Sequence, residues 1–425
     1  MRKALNDPKT SISDRSKTLD SDLYKRDISI RITSFLMKIV GLWIAKNRVE
    51  QRRRDLTLLY TVIAVLFGVW LQTRDFYYSW PNFGDCCYIT CNILCLMMVL
   101  LKLLVVFANR RKFIEMLLYT HKHFWHTNYD PTEKIMIINC KRISTVSLIL
   151  INFCVQATVV SYVIAPILES IGRNHTDRVL PFHMWVDFPV YESPYFEITF
   201  VAQALSVYHI GVCYICFDNL LCLINLHTAT QFRILQYRLK NLGGTDTQKI
   251  TENTSSVNLS AYTEKCYSRF KCYVQQHEAH IQYCNRLESI FNIIVLAHIL
   301  LFSFLMCLVG YQIFLAESAK TRRLIFIFNI LGNLCALLLF TSSCDNLIEE
   351  SSNIGTAIYS GPWINLPMNK AGKKLRKDLN MVILRSRKPC CLTACGFSAV
   401  SLETCTTVLS TAMSYFTLLR QSMIN

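Results

Sequence analysis

The sequence predicts an all-α membrane protein of seven transmembrane helices, with a cytoplasmic N-terminus and an extracellular C-terminus. Three observations predict it. First, 52% of the 425 residues are apolar, and they collect in seven stretches at 56–73, 86–107, 143–167, 198–222, 289–315, 324–343 and 394–419. A helix needs about 20 residues to cross a bilayer. Second, 37 of the 45 Lys and Arg fall in residues 1–55 and in every second loop, at 108–142, 225–288 and 341–393. Basic residues translocate poorly and stay on the cytoplasmic side, so the chain starts inside and, after an odd number of crossings, ends outside. Third, the outer loop 169–197 contains no cysteine. The disulfide that pins the third span to that loop in rhodopsin-like receptors cannot form, and the threading is opposite to theirs.

The net charge of +16 does not point to nucleic acid. Its confinement to one face fits contact with anionic membrane lipid. Residues 1–55 form a cytoplasmic segment in which Ile32, Phe35, Leu36, Ile39, Leu42 and Trp43 recur at helical spacing. They predict an amphipathic helix that either lies on the inner membrane surface or packs against the inner loops. No early apolar core with a cleavage site is present, so the first span is expected to direct insertion. The six spans of 56–343 form a bundle, with 241–260 as a flexible inner insert poor in apolar residues. Of three Asn-X-Ser/Thr sequons, Asn174 falls in the outer loop, where glycan is added, while Asn253 and Asn258 fall in an inner loop. The outer loop is rich in proline and aromatics around Trp185, which predicts either an interfacial belt or a stiff lid.

The 19 cysteines show neither a zinc spacing nor a disulfide framework, and Cys86 and Cys87 read as free thiols. His121, His123 and His126, with His277 and His280, raise a di-iron membrane enzyme. The other five histidines are scattered over both sides and the spans, so no cofactor, metal or catalytic residue is expected. Two acidic residues stand inside predicted spans, where ionisable groups are costly and usually have a task. Asp218 is expected to meet headgroups or a basic partner, and Glu403 to face protein or water. The last span is rich in Ser and Thr from Ser398 to Ser414. Hydroxyls of that density suit close packing or a wet path rather than lipid. One such helix encloses no pore, so conduction requires assembly of several subunits.

The stretches CDNLIEESSNIGTAIYSGPW (344–363), LRKDLNMVILRSRKPCCLTACGFSAVSLETCTTVLS (375–410) and SYFTLLRQ (414–421) resemble the C-terminal signature of insect odorant receptors. The outer loop around Trp185, Pro189 and Pro194 is similar too. The resemblance implies a subunit of a tetrameric, ligand-gated, nonselective cation channel in the plasma membrane of sensory-neuron dendrites. Its partners would be a shared odorant co-receptor subunit, a small volatile ligand and permeating cations. It implies that helix seven is split. Residues 344–393 would be a cytoplasmic anchor part, with Tyr359 and Trp363 as packing residues, and 394–425 a pore-lining part and short outer tail. The constriction maps to Leu418, with Gln421 and Ser422 one turn further out. The implied odorant pocket lies in the outer half of the bundle between spans two, three, four and six. Helical spacing then picks Tyr88 and Cys91; Phe153, Ala157 and Val160; Phe200, Ala204 and Tyr208; and Phe326, Asn329, Ile330 and Asn333. The competing readings are a gustatory-type ligand-gated channel and a seven-span receptor or transporter without its own pore.

Overall fold

The computed structural model describes residues 27–45, 47–125, 129–170, 179–185, 189–242, 256–316, 320–361, 363 and 368–424. Among these the chain forms ten α-helices. They are α1 Ile28–Val40, α2 Arg48–Ser79, α3 Phe83–Ala108, α4 Arg110–His123, α5 Pro131–Ser170, α6 Tyr195–Lys240, α7 Ser256–Phe314, α8 Lys320–Tyr359, α9 Lys370–Ser386 and α10 Leu402–Ile424. Six of them (α2, α3, α5, α6, α7 and α8) are long and apolar enough to cross a membrane, and they carry the first six predicted spans.

The seventh predicted span begins late. Residues 394–401 fold as a tight turn, with the Ala394 N–H on the Ser398 carbonyl at 2.9 Å and the Val400 N–H on the Leu392 carbonyl at 2.9 Å. Helix α10 starts only at Leu402, so Glu403 sits in its first turn, where a carboxylate meets the positive end of the helix dipole. At about 1.5 Å per residue, the 23 residues of α10 still reach across a bilayer core.

Helix α1 packs one of its faces within the chain. Its buried face is Ser29, Ile30, Thr33, Ser34, Leu36, Met37 and Val40, and it packs against α6. Phe35, on the apolar face read from the spacing, is 61% exposed within the chain. Gly41 ends the helix at φ +86°, and a Cβ there would stand 2.4 Å from the Arg54 carbonyl. Only glycine permits both the left-handed turn and this approach of α1 to α2.

Helices α6, α7 and α8 continue past their apolar stretches, and with α9 they build a second core around Phe232, Leu235, Phe270, Leu347, Ile354 and Leu379. Ion pairs tie this inner part together. Arg238 donates to both carboxylate oxygens of the buried Glu133 at 2.6 and 3.0 Å, linking α6 to α5. Arg233 donates from Nε to Glu350 at 2.8 Å, linking α6 to α8. Trp363 packs on this core and donates its indole N–H to the Ile358 carbonyl at 2.8 Å. Tyr359, expected beside it as a packing residue, is 74% exposed within the chain, because it faces away from the α6–α9 core. Part of the insert 241–260 and the sequon at Asn174 lie outside the described residues, but Ser256–Ser260 already belong to α7.

His277 and His280 lie in the charged part of α7, beyond its apolar stretch. Both rings pack against Phe232, and His280 also meets Phe124. Burial pushes His277 down to about 4 and His280 down to about 3, helped by the Arg385 charge on the first and by His277, Arg238 and His123 on the second. Both therefore fold as neutral imidazoles. Below an unfolded-state value of about 6.5 the unfolded chain takes up protons that the fold refuses, so stability falls as pH drops. The loss is about 1.4 kcal/mol per imidazole by pH 5.5. Thermal unfolding in detergent should show a lower midpoint at pH 5.5 than at 7.5, and the His277→Phe/His280→Phe variant should flatten that dependence.

Candidate functional site

The end of the bundle that the charge pattern assigns to the outside is organised around the start of α3. Asn82 caps that helix, its side-chain oxygen accepting from the Gly84 and Asp85 N–H groups at 3.1 and 3.3 Å. Asp85 then receives Arg322 of α8 at 2.8 Å, and the Arg322 guanidinium lies 5.0 Å over the Tyr88 ring. Gln312 of α7 donates to the Gly84 carbonyl at 2.6 Å. These bonds hold the outer ends of α3, α7 and α8 together above an apolar cluster.

Tyr88, Cys91, Phe326 and Ile330 all belong to that cluster, with Leu305, Leu308 and Val309 of α7. Tyr88 meets Phe326 edge-on at 5.8 Å. Leu419 of α10 packs on the same cluster, so this face touches the last helix directly. One turn inward on α8, Asn333 donates to the Asn329 side chain at 2.8 Å and accepts from the Tyr214 hydroxyl at 2.9 Å. Thus six of the twelve residues expected to line a pocket form one connected strip along α3 and α8.

The α5 and α6 residues behave differently. Ala157, Phe200 and Ala204 are half-buried. Phe153, Val160 and Tyr208 are 70%, 49% and 47% exposed within the chain. Small-residue contacts set the phase of these helices. A Cβ at Gly332 would lie 3.4 Å from Cys154, and one at Gly211 would lie 2.7 Å from Val159. Helix α5 therefore turns Cys154 toward α8 and Val159 toward α6, on either side of the face read from spacing.

Polar side chains missed by the sequence reading lie next to the strip. Tyr162 donates to Asn92 at 2.8 Å, joining α5 to α3. The outer loop folds over this contact: Phe182 lies 5.8 Å from the Tyr162 ring, and its backbone N–H and carbonyl pair with Gln203 at 2.9 and 3.0 Å. Trp185 stacks on Tyr78 at 4.8 Å and donates its indole N–H to Asp75 at 3.0 Å. The loop is thus strapped to α2 and α6, in the manner of the lid reading. The signal for these groups was available in principle, since Asn92 and Gln203 are amides in or beside apolar spans.

Deeper in the bundle, Lys102 is fully buried and donates to both oxygens of Asp218 at 2.8 and 2.7 Å and to the Tyr214 carbonyl at 2.9 Å. Asp218 has found its basic partner, and Lys102, inside the second span, is that partner.

Helix α10 is two-faced. Cys405, Val408 and Ala412 are buried, with Leu409, Phe416 and Leu419 partly so, against α7 and α8. At about 100° per residue the opposite face carries Glu403, Thr406, Thr407, Ser410, Ser414, Thr417, Leu418 and Gln421, all exposed. Leu418 is 63% exposed. The Ser422 side chain lies outside the described residues. The hydroxyls of Thr407, Ser414 and Thr417 each donate to the carbonyl four residues back, at 3.0, 2.9 and 2.8 Å.

A family model described as 7tm Odorant receptor matches residues 82–413. Odorant receptor 13a of Drosophila melanogaster is 27% identical over 329 residues, covering 73% of this chain and 74% of that protein. Odorant receptor 10 of Aedes albopictus is 22% identical over 375 residues, covering 87% and 93%. The solved structure of the insect olfactory receptor OR5 from Machilis hrabei, in complex with eugenol, superposes with a TM-score of 0.78 at 12% identity, over 95% of this chain and all of that one. A match running from the start of α3 into α10 takes in the strip, the buried ion pair and the first half of the exposed α10 face. The chain belongs to the seven-transmembrane odorant receptor family.

Proposed function

We propose that this chain is the ligand-tuning subunit of an odorant-gated, nonselective cation channel, assembled as a tetramer with a shared co-receptor subunit. It would lie in the dendritic plasma membrane of sensory neurons with its N-terminus inside. The observation that carries this reading is the exposed hydroxyl face of α10. Its hydroxyls bond their own backbone and leave lone pairs pointing outward. Lipid offers these nothing, whereas a water-filled axis shared by neighbouring subunits solvates them.

Ligand would bind against the strip of Tyr88, Cys91, Phe326, Ile330, Asn329 and Asn333, flanked by Ala157, Phe200 and Ala204. Mostly apolar lining with a few amides suits a small volatile molecule held by burial at about 25 cal/mol per Å². Leu419 offers a route from that strip to the constriction at the adjacent Leu418. Ligand opens the channel only if the open state holds it more tightly.

Patch-clamp recording after co-expression with the co-receptor tests the reading, using a panel of volatile alcohols, ethers, esters and ketones, eugenol among them. Evoked current that persists without GTP is expected. Current that strictly requires G-protein signalling would favour a seven-span receptor without a pore, and conduction without the co-receptor would favour a gustatory-type channel. Leu418→Ala should change basal or evoked current with surface expression intact; unchanged currents would move the constriction elsewhere.

A further inference from the structure

Both amide N–H groups of Asn333 are engaged, and its oxygen already accepts one hydrogen bond. Its amide donates to Asn329, to the carbonyl at 2.9 Å and to the side-chain oxygen at 2.8 Å, and its own oxygen accepts from the Tyr214 hydroxyl at 2.9 Å. It is 8% exposed, so water supplies little replacement. Tyr214 is held in turn by Lys102, whose ammonium lies 4.8 Å from the ring centroid and bonds the Tyr214 carbonyl, with Asp218 fixing the ammonium from the other side. A small cavity of about 10 Å³ adjoins Tyr214 on the side of His298 and Phe302.

A polar ligand arriving from Phe326 and Ile330, on the same face of α8, meets the Tyr214–Asn333 bond. To replace it without leaving a buried group bare, the ligand must donate to the Asn333 oxygen and accept from the Tyr214 hydroxyl. A hydroxyl does both. An ether or ester oxygen only accepts, and it strands the Asn333 acceptor, which is costly when buried.

Resting on the pocket proposed above, we infer that Tyr214 and Asn333 form a hydroxyl-selecting anchor, with Lys102 and Asp218 as positioning residues that fix Tyr214. The receptor then prefers volatile alcohols or phenols to their methyl ethers. A site built to bond a hydroxyl rejects the analogue that lacks it far more strongly than an apolar pocket rejects a lost methylene.

The test is a dose–response series in cells co-expressing the co-receptor, with matched aromatic and aliphatic alcohols and their methyl ethers alongside esters and hydrocarbons. Wild type should favour the alcohol of the best pair by at least about tenfold in half-maximal concentration. Tyr214→Phe, which keeps the ring over Lys102, should bring that ratio close to one with surface expression unchanged. Lys102→Met/Asp218→Leu, which removes both charges together, should also shrink it. Equal potency of alcohol and ether in wild type, activation by esters or hydrocarbons alone, or a ratio that survives Tyr214→Phe would overturn the anchor. Absence of current from every compound would instead overturn the channel reading itself.

Discussion

Asp218→Ala is expected to keep the receptor from the cell surface. The substitution leaves the Lys102 ammonium fully buried, 0% exposed, with the Tyr214 carbonyl and ring as its remaining partners among the described residues. Breaking one side of a buried pair costs about 3–5 kcal/mol. Marginal stability is about 5–15 kcal/mol for a whole domain, so the loss should show as a sharp fall in surface labelling. Lys102→Met/Asp218→Leu should restore most of it, because removing both charges together leaves no unpaired group behind. Equal surface levels for the wild type and Asp218→Ala would mean that the ammonium finds water or another partner.

Ser410→Lys should abolish cation current while sparing assembly. Ser410 is on the exposed face of α10, so the new ammonium crowds nothing within the chain. Repeated around a shared axis it places fixed positive charge across a cation path, an electrostatic barrier of the kind that excludes cations from pores. Val408→Lys, two residues away on the buried face at 3% exposure, should instead prevent folding. Recording paired with surface labelling separates the two: normal labelling without current for the first, neither for the second. Unchanged current in Ser410→Lys would remove this face from the permeation path.

The spans were legible because burial in lipid forces long apolar runs, and a run such as 86–107 has no soluble explanation. The start of the last helix was not. Residues 394–401 are compositionally like the helix that follows, and their turn is fixed by contacts such as that between Val400 and Leu392. The candidate strip was half legible. On α3 and α8, aromatic and amide residues recur on one face, and that face is the inner one. On α5 and α6 apolar residues occur all round the helix, so periodicity carries no phase; the approach to Gly211 and Gly332 supplies it. Phe153 is therefore far more exposed than its half-buried neighbour Ala157.

Composition and charge order by themselves determined the class of protein, the number of long apolar segments and the odd, hydroxyl-rich character of the last one, because solvation free energy acts on each segment separately. Only the tertiary structure decided which side chains meet. Lys102 with Asp218 and Tyr214 with Asn333 are separated by more than a hundred residues. A pair so far apart in the chain is selected by the geometry of packed helices, which no local pattern encodes.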